Sequence, residues 1–212
     1  MDNFCNLEEL NDFYRKRMEI AVQSVKLAMA APLQFVYGYG NENAQAVLIG
    51  EAPGKDEVKN GRPFVGKAGA ILDGILNSTG IKREQLYITN VVKYRLMKQG
   101  SREGSYKNRP ATKQEIELSL PWLKNELEMI RPKLILTLGN VPLKSLCLIK
   151  NCAILEIGGC HGECMDISIN GHKTSFIPLY HPASQIYNRS LKEVFDEDFG
   201  IVKDTFMKLS GE

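Results

Sequence analysis

The fold is decided by residues 46–76, which read AVLIGEAPGKDEVKNGRPFVGKAGAILDGIL. Residues 46–49 are a short apolar run, which is typical of a buried parallel strand. The apolar spacing of residues 70–76 predicts a helix that packs back on that strand. The glycine-rich loop between them lies at the carboxyl end of the strand, where open α/β sheets bind ligands. Because this loop also carries a carboxylate, Glu51, and an aromatic ring, Phe64, we expect a pocket for a flat, polar ring.

The same loop differs from a nucleotide-binding P-loop. Gly50 to Gly54 followed by Lys55 is one residue shorter than GxxxxGK[ST], and Asp56 stands where a Ser or Thr would hold magnesium. We therefore reject a P-loop. Because long loops in compact domains are usually functional, we also reject a simple connecting loop.

Composition indicates one sizeable α/β domain that spans residues 1–212. The chain has 43% hydrophobic and 25% charged residues, which is ordinary for a soluble globular protein. No apolar run approaches membrane-spanning length, so we expect no membrane partner. The first ten residues are acidic and lack the apolar segment of a signal peptide, so we expect a cytoplasmic protein with five reduced cysteines.

Three further apolar runs predict strands at residues 86–92, 133–138 and 174–180, and a hairpin is expected around Asn170 and Gly171. Helices are predicted for residues 7–30 and 113–130, from Pro142 onward, and for residues 191–209. Alternating strands and helices favour a three-layer α/β sandwich, with a four-stranded parallel sheet between helices.

Three polar side chains follow the predicted strands: Glu51, Asn90 and His181. The carboxyl ends of parallel strands share one edge of the sheet, so we expect these residues to meet there beside Phe64. An Asn carboxamide can read the imide edge of uracil, and a His can stabilise negative charge on a departing ring oxygen. A carboxylate can position water or stabilise a cationic sugar. Taken singly, each residue could cap a turn, but together they favour hydrolytic loss of a base.

A basic segment covers residues 93–113 and has a single acidic residue, Glu103. It suits either a phosphate backbone or an ordinary solvated loop. Its basic residues are Lys93, Arg95, Lys98, Arg102, Lys107, Arg109 and Lys113.

Five motifs occur in order: GEAPG at 50–54, GRPFVGKAG at 61–69, TNVVK at 89–93, LGN at 138–140 and HPASQIYNR at 181–189. This series resembles the family-four uracil-DNA glycosylases, over residues 36 to the last helix. The resemblance implies a parallel sheet between helices and removal of uracil from double- or single-stranded DNA by base flipping, by a monomer.

The resemblance also implies roles for individual residues. Glu51, Asn90 and His181 fall at catalytic positions: the motif-one carboxylate, the reader of the uracil edge and the group that stabilises the leaving anion. Phe64 falls at the aromatic that stacks on uracil, and Glu57 stands where another branch of the superfamily has a tyrosine that excludes the methyl group of thymine. The other implied substrate-binding residues are Gly50, Ala52, Pro53 and Gly54, and the implied DNA-binding residues are Gly66, Lys67, Ala68, Gly69, Pro182, Ala183, Ile186, Tyr187 and Arg189.

Ile186 is the apolar residue at the family's wedge position, where it would fill the gap left by a flipped base. The alternative is that Ile186 packs under the last helix. A wedge predicts that Ile186→Ala weakens action on duplex uracil more than on single strands, whereas a core residue predicts lower stability and equal losses on both substrates.

The chain departs from the family at the four cysteines that hold an iron–sulfur cluster. The CxxC region reads QSVK at residues 23–26, and Tyr94 and Ser119 stand at the other two positions. Cys152, Cys160 and Cys164, with His161, have a spacing that offers a weak zinc alternative, but buried or loop thiols fit better because paired CxxC arms are lacking. We therefore predict no metal and no cofactor. Apolar packing by Leu27, Met29, Leu118 and Trp122 is expected to replace the cluster.

Two other functions remain open at this point. One is a non-catalytic binder of damaged DNA on the same fold, and the other is a glycosylase for a different deaminated base, such as hypoxanthine. A lyase would need a reactive lysine in the pocket, and the sequence indicates none.

The missing thiolates generate a first prediction. The purified protein is expected to be colourless and free of iron, because Tyr94 and Ser119 cannot replace cluster thiolates. Visible absorption and an iron assay on anaerobically purified protein check this. Cluster absorbance with iron in proportion to protein would contradict it.

Overall fold

The computed structural model describes residues 4–24 and 33–210. Its centre is a six-stranded sheet in the order β1-β3-β2-β6-β8-β7. The four inner strands run parallel, and β1 and β7 are antiparallel at the two edges. The predicted four-stranded parallel sheet is therefore confirmed, with an antiparallel strand added on each side.

The strands are β1 (Tyr39–Gly40), β2 (Ala46–Gly50), β3 (Leu86–Asn90), β4 (Met97–Gln99), β5 (Tyr106–Asn108), β6 (Leu134–Leu138), β7 (Met165–Ile169) and β8 (His172–Leu179). The helices are α1 (Leu7–Ser24), α2 (Lys55–Asn60), α3 (Lys67–Thr79), α4 (Lys113–Ile130), α5 (Asn140–Lys150), α6 (Ser184–Tyr187) and α7 (Leu191–Ser210), with short 3-10 turns at Arg83–Gln85 and Ile157–Gly159. β4 and β5 form a separate hairpin.

Two hydrophobic cores lie on opposite faces of the sheet. Side chains alternate between faces along a strand, so Val47 and Ile49 of β2 join a core with α1, α4 and α5. Ala46 and Leu48 face the other way and join a core with α3 and α7. All four are fully buried, which explains why β2 reads as a continuous apolar run. The three-layer architecture follows from this double burial.

Most element boundaries match the sequence. The β7–β8 hairpin turns at Asn170 and Gly171, both with positive φ, as predicted. α5 begins at Asn140 rather than Pro142, because Gly139 at φ +92° caps it. The two-residue strand β1 was not predicted, since glycine interrupts it. The predicted helix 7–30 is seen as α1 up to Ser24, and its remainder lies outside the described residues.

An aromatic cluster joins α1 to α4 around Tyr94, one of the positions at which the resemblance implies a cluster cysteine. Tyr14 stacks on Trp122 at 5.7 Å, and Phe35 meets the ring of Tyr94 edge-on at 5.9 Å. Trp122 Nε1 also donates to Asn11 Oδ1 at 3.0 Å. Trp122 and Tyr94 are fully buried, so this part of the fold is held by packing. Of the other expected packing residues, Leu118 is partly buried against this core, whereas Leu27 and Met29 lie outside the described residues.

Within residues 4–24 and 33–210, no helix has the length and hydropathy needed to cross a membrane.

Candidate active site

A cleft of about 350 Å³ opens at the carboxyl edge of the sheet. Asn90, His181 and Phe64 all line it, so three of the residues predicted to meet there do so. Predicted substrate- and DNA-binding residues complete much of the wall: Ala52, Gly54, Glu57, Gly66, Lys67, Ala68 and Ala183. The sequence did not indicate Lys55, Asp56 and Asn108, which also line the cleft.

The floor of the cleft depends on a close approach between two strands. Gly50 ends β2 and pairs in register with Asn90, which ends β3. A side chain at position 50 would collide with Asn90 Oδ1 and lie 2.6 Å from the Phe64 ring. Glycine is required here because any Cβ would occupy the space between the carboxamide and the ring.

Asn90 is 2% exposed, and its Nδ2 has no hydrogen-bond partner among the described residues. Buried polar groups are normally paired, so an unpaired buried donor in a cleft calls for a ligand. This is the property expected of a group that reads the edge of a base.

Phe64 occupies a strained position that is held from behind. Its φ is +53°, a region that aromatic residues rarely adopt. Arg83 fixes the turn, with Nη2 donating to the carbonyls of Pro63 at 2.6 Å and Phe64 at 2.8 Å, and Nη1 paired with Asp73 at 2.7 Å. A side chain at Gly69 would collide with the Phe64 carbonyl. Arg83 could not be found from the sequence, because its partners are main-chain oxygens 19 and 20 residues away.

His181 follows β8, and its ring lies 6.0 Å from that of Phe64. The Ala183 main-chain N–H donates to His181 Nδ1 at 3.2 Å. Nδ1 therefore acts as the acceptor, which leaves the proton of a neutral ring on Nε2. Burial lowers the pKa of His181 below its usual 6.5, although the Glu57 carboxylate opposes the shift. A neutral imidazole with a proton on Nε2 is a hydrogen-bond donor suited to a developing oxyanion.

Glu57 joins the two halves of the central loop. Its Oε2 accepts from Gly54 N–H at 3.0 Å, and its Oε1 accepts from Gly66 N–H at 2.9 Å and Val65 N–H at 3.2 Å. Gly54 and Gly66 cap α2 and α3 without a side chain of their own. One carboxylate therefore accepts hydrogen bonds from main-chain amides at the start of both helices, where such amides have no partner within the helix.

The carboxylate of Glu51 is bound to the start of α4. Its Oε1 accepts a hydrogen bond from the Ala111 main-chain N–H at 2.7 Å, just before α4, and its side chain is not part of the cleft wall. Four other predicted site residues are buried and do not line the cleft: Gly50 and Pro53, predicted to bind substrate, and Gly69 and Pro182, predicted to bind DNA. The catalytic role of Glu51 stays a prediction.

The basic segment is neither a phosphate surface nor a solvated loop along its whole length. Lys93 and Arg95 are buried, and Arg109 pairs with buried Glu115 at 2.6 Å. Arg95 Nε donates to Asn108 Oδ1 at 2.9 Å, which fixes Asn108 at the cleft. The remaining basic residues of the segment are exposed: Lys98, Arg102, Lys107 and Lys113. Lys93, Arg95 and Arg109 are therefore not available to a phosphate backbone, because each has a partner within the protein.

The loop after His181 projects into solvent as the short helix α6. Ile186 is 50% exposed and Tyr187 is 88% exposed, and Arg189 is also exposed. The wedge role of Ile186 and the alternative, packing under the last helix, therefore both stay predictions. The exposed pair is available to a bound partner.

His161 and Cys160, two of the residues with zinc-like spacing, have hydrogen-bond partners outside that set. His161 Nδ1 lies 3.0 Å from both oxygens of Asp198, and Cys160 Sγ donates to the Glu156 carbonyl at 3.2 Å. Within the part of the chain that the structure describes, no group of three or more His, Cys, Asp or Glu side chains could hold a metal ion.

Comparison with known proteins agrees with the fold. The model of the uracil DNA glycosylase superfamily matches residues 37–200. The type-4 uracil-DNA glycosylase of Archaeoglobus fulgidus is 35% identical over 193 residues, which cover 91% of each chain. The corresponding proteins of Saccharolobus solfataricus (38% over 170 residues, 80% of this chain and 74% of the relative) and Thermotoga maritima (36% over 201 residues, 92% and 96%) are also similar.

This chain belongs to the uracil DNA glycosylase superfamily. Its similarity to type-4 relatives extends over most of its length. The resemblance inferred from the five motifs is thereby confirmed.

The lowered pKa of His181 generates a prediction for stability. A histidine whose folded-state pKa lies below 6.5 contributes stability that is complete above 6.5 and lost as the pH falls toward the folded value. Urea unfolding of the wild type should therefore show a loss of unfolding free energy below about pH 6.5 that His181→Gln lacks. His172→Gln, at the opposite end of β8, controls for loss of an imidazole as such. Equal pH dependence in wild type and His181→Gln would contradict the prediction.

Proposed function

We propose that this protein is a monofunctional uracil-DNA glycosylase, which hydrolyses the N-glycosidic bond between uracil and deoxyribose in DNA. The observation that carries the proposal is the buried Asn90 carboxamide, whose Nδ2 is unpaired among the described residues, in a cleft that Phe64 and a neutral His181 also line. The type-4 relatives, which carry the name uracil-DNA glycosylase, support the same activity.

The cleft suits a flipped pyrimidine. A base inside a duplex is inaccessible, so it must leave the stack at a cost of about a few kcal/mol. The Phe64 ring offers a face for stacking, and the Asn90 carboxamide can donate to one atom of an imide edge and accept from its neighbour. Cytosine exchanges that donor and acceptor, so it would leave buried polar groups unpaired.

Bond cleavage leaves the electron pair of the C–N bond on uracil, water supplies the hydroxyl group that adds to the sugar, and the remaining proton of water ends on the uracil anion. The Nε2–H of His181 can donate a hydrogen bond to the uracil carbonyl oxygen on which negative charge develops. Glu51 is the proposed carboxylate that positions water or stabilises the sugar cation, with its Oε1 anchored on Ala111.

A lyase mechanism is not supported by the lysines near the site. Lys93 is fully buried, and each of its three protons has an acceptor, namely Thr89 Oγ1, the Asn90 carbonyl and Glu126 Oε2. Lys55 and Lys67 are exposed on the rim of the cleft, where we propose that they contact phosphates together with Arg102 and Lys107 of the β4–β5 hairpin. We also propose that the protein acts as a monomer in the cytoplasm.

Activity assays test the function directly. Oligonucleotides with a single uracil, hypoxanthine, thymine or abasic site are incubated with the protein and then treated with alkali; we expect cleavage at uracil. Asn90→Ala should lose most activity, and His181→Ala should lower the single-turnover rate by about 100- to 1,000-fold with little change in DNA affinity. His172→Ala is the matched control. Wild-type rates in both site variants would place the active site elsewhere, and binding of uracil-DNA without cleavage would favour a non-catalytic binder.

The exposed Ile186 generates a separate prediction. If it fills the stack after base flipping, Ile186→Ala should weaken cleavage of duplex uracil strongly and of single-stranded uracil less, with little change in melting temperature because the side chain is half exposed. Ile201→Ala removes a similarly exposed isoleucine from α7 and should leave both substrates unaffected. Equal losses on both substrates for Ile186→Ala would exclude the wedge.

A further inference from the structure

A buried ionic network lies directly behind Asn90. Lys93 Nζ and Glu126 Oε2 are 2.6 Å apart, and both side chains are 0% exposed. Glu126 is on α4, whereas Lys93 follows the end of β3. Burial lowers the pKa of Lys93, and the Glu126 carboxylate opposes that shift. The network therefore brings a charge pair into the core beside the candidate site.

Every polar group of this network has partners. Lys93 Nζ also donates to Thr89 Oγ1 at 2.7 Å and to the Asn90 main-chain carbonyl at 2.6 Å. Glu126 Oε1 accepts from Tyr87 Oη–H at 3.0 Å and from Thr89 Oγ1 at 3.2 Å. Such a saturated network fixes the relative positions of its members.

Stability alone is a poor explanation for the pair. Removing two charges from water costs several kcal/mol for each ion, and apolar replacements of buried pairs are often neutral or stabilising. A role in placing a specific group accounts for the network better. The third acceptor of the Lys93 ammonium is the Asn90 carbonyl, so the group that the network places is the Asn90 peptide.

The topology explains why that carbonyl needs a side-chain donor. Val91 N–H bonds to the Gly50 carbonyl on β2 at 2.9 Å. In a trans peptide the Asn90 carbonyl points the opposite way, toward the β1 side of β3. β1 pairs with β3 at Tyr87 and Ile88, short of Asn90. The carbonyl thus lies beyond the end of the edge strand, and Lys93 supplies the donor that β1 does not.

We propose that Lys93, anchored by Glu126, is a positioning residue for uracil recognition. Its ammonium holds the last peptide of β3, so that the Asn90 carboxamide faces the cleft in the orientation that reads the base. This inference rests on the proposed role of Asn90 in reading uracil. Lys93 itself does not contact the substrate, since it lies behind the strand and is fully enclosed.

A double-mutant cycle tests the proposal. The variant Lys93→Met/Glu126→Gln removes the ammonium without leaving an unpaired buried carboxylate. Its single-turnover rate on uracil DNA should fall by about 100-fold, the order expected when a catalytic geometry shifts by an ångström. In an Asn90→Ala background the same two changes should cause no further loss, because there is no carboxamide left to orient.

Two controls separate positioning from general destabilisation. Trp122→Phe removes a core hydrogen bond to Asn11 Oδ1, between α4 and α1, and leaves every bond of the Lys93 network in place. Thr174→Val removes a buried hydrogen bond to the Pro132 carbonyl at the opposite end of the sheet. Both should lower the melting temperature and keep nearly the wild-type rate.

The outcomes are distinct. Additive rate losses in the cycle would overturn the positioning role. It would also be overturned if the two controls lost as much rate as Lys93→Met/Glu126→Gln when their melting temperatures fall by the same amount. An unchanged rate in Asn90→Ala alone would instead overturn the assignment of the site. If the double variant does not fold, Glu126→Gln alone enters the same cycle, with a smaller loss expected in the wild-type background and again none in Asn90→Ala.

Discussion

The parallel pairing of β2 with β3 is the constraint on which the site depends. Five consecutive residue pairs, from Ala46 with Leu86 to Gly50 with Asn90, fix the two strand ends at the same level. A shift of one residue would move every side chain of β2 to the opposite face, so that Val47 and Ile49 would leave the core with α1, α4 and α5. Because β2 is fully buried on both faces, such a shift is excluded. The glycine that opens the cleft and the carboxamide that faces it are therefore set by the same hydrogen-bond ladder.

Residues with local signals were predictable from sequence. The apolar runs predicted the parallel strands. Asn90 and His181 were predicted as site residues because they follow strand ends, and the carboxyl ends of parallel strands meet at one edge of the sheet. The start of α4 also carries a local signal, because Thr112 and Glu115 have the spacing of a capping box and Thr112 Oγ1 accepts from Glu115 N–H at 3.3 Å.

Other parts of the site depend on partners that no local pattern reveals. Asn108 is held at the cleft by a hydrogen bond from Arg95, and Lys93 pairs with Glu126, which is 33 residues away in the chain. A run of basic residues suggests a surface because isolated charges are costly to bury. Here Lys93, Arg95 and Arg109 each have a partner that compensates the cost. The position of Glu51, turned toward Ala111, likewise depends on where α4 begins relative to the sheet.

The left-handed backbone at Phe64 has a consequence for selectivity. A non-glycine residue in this region costs on the order of 1–3 kcal/mol, and here Arg83 and the tight contact at Gly69 compensate for it during folding. On the proposed function, Arg83 fixes the main chain that carries the ring before any nucleotide arrives, so less entropy is lost when a base stacks on it. A slot whose wall is fixed in this way would select its base by shape at first encounter rather than by closing around it.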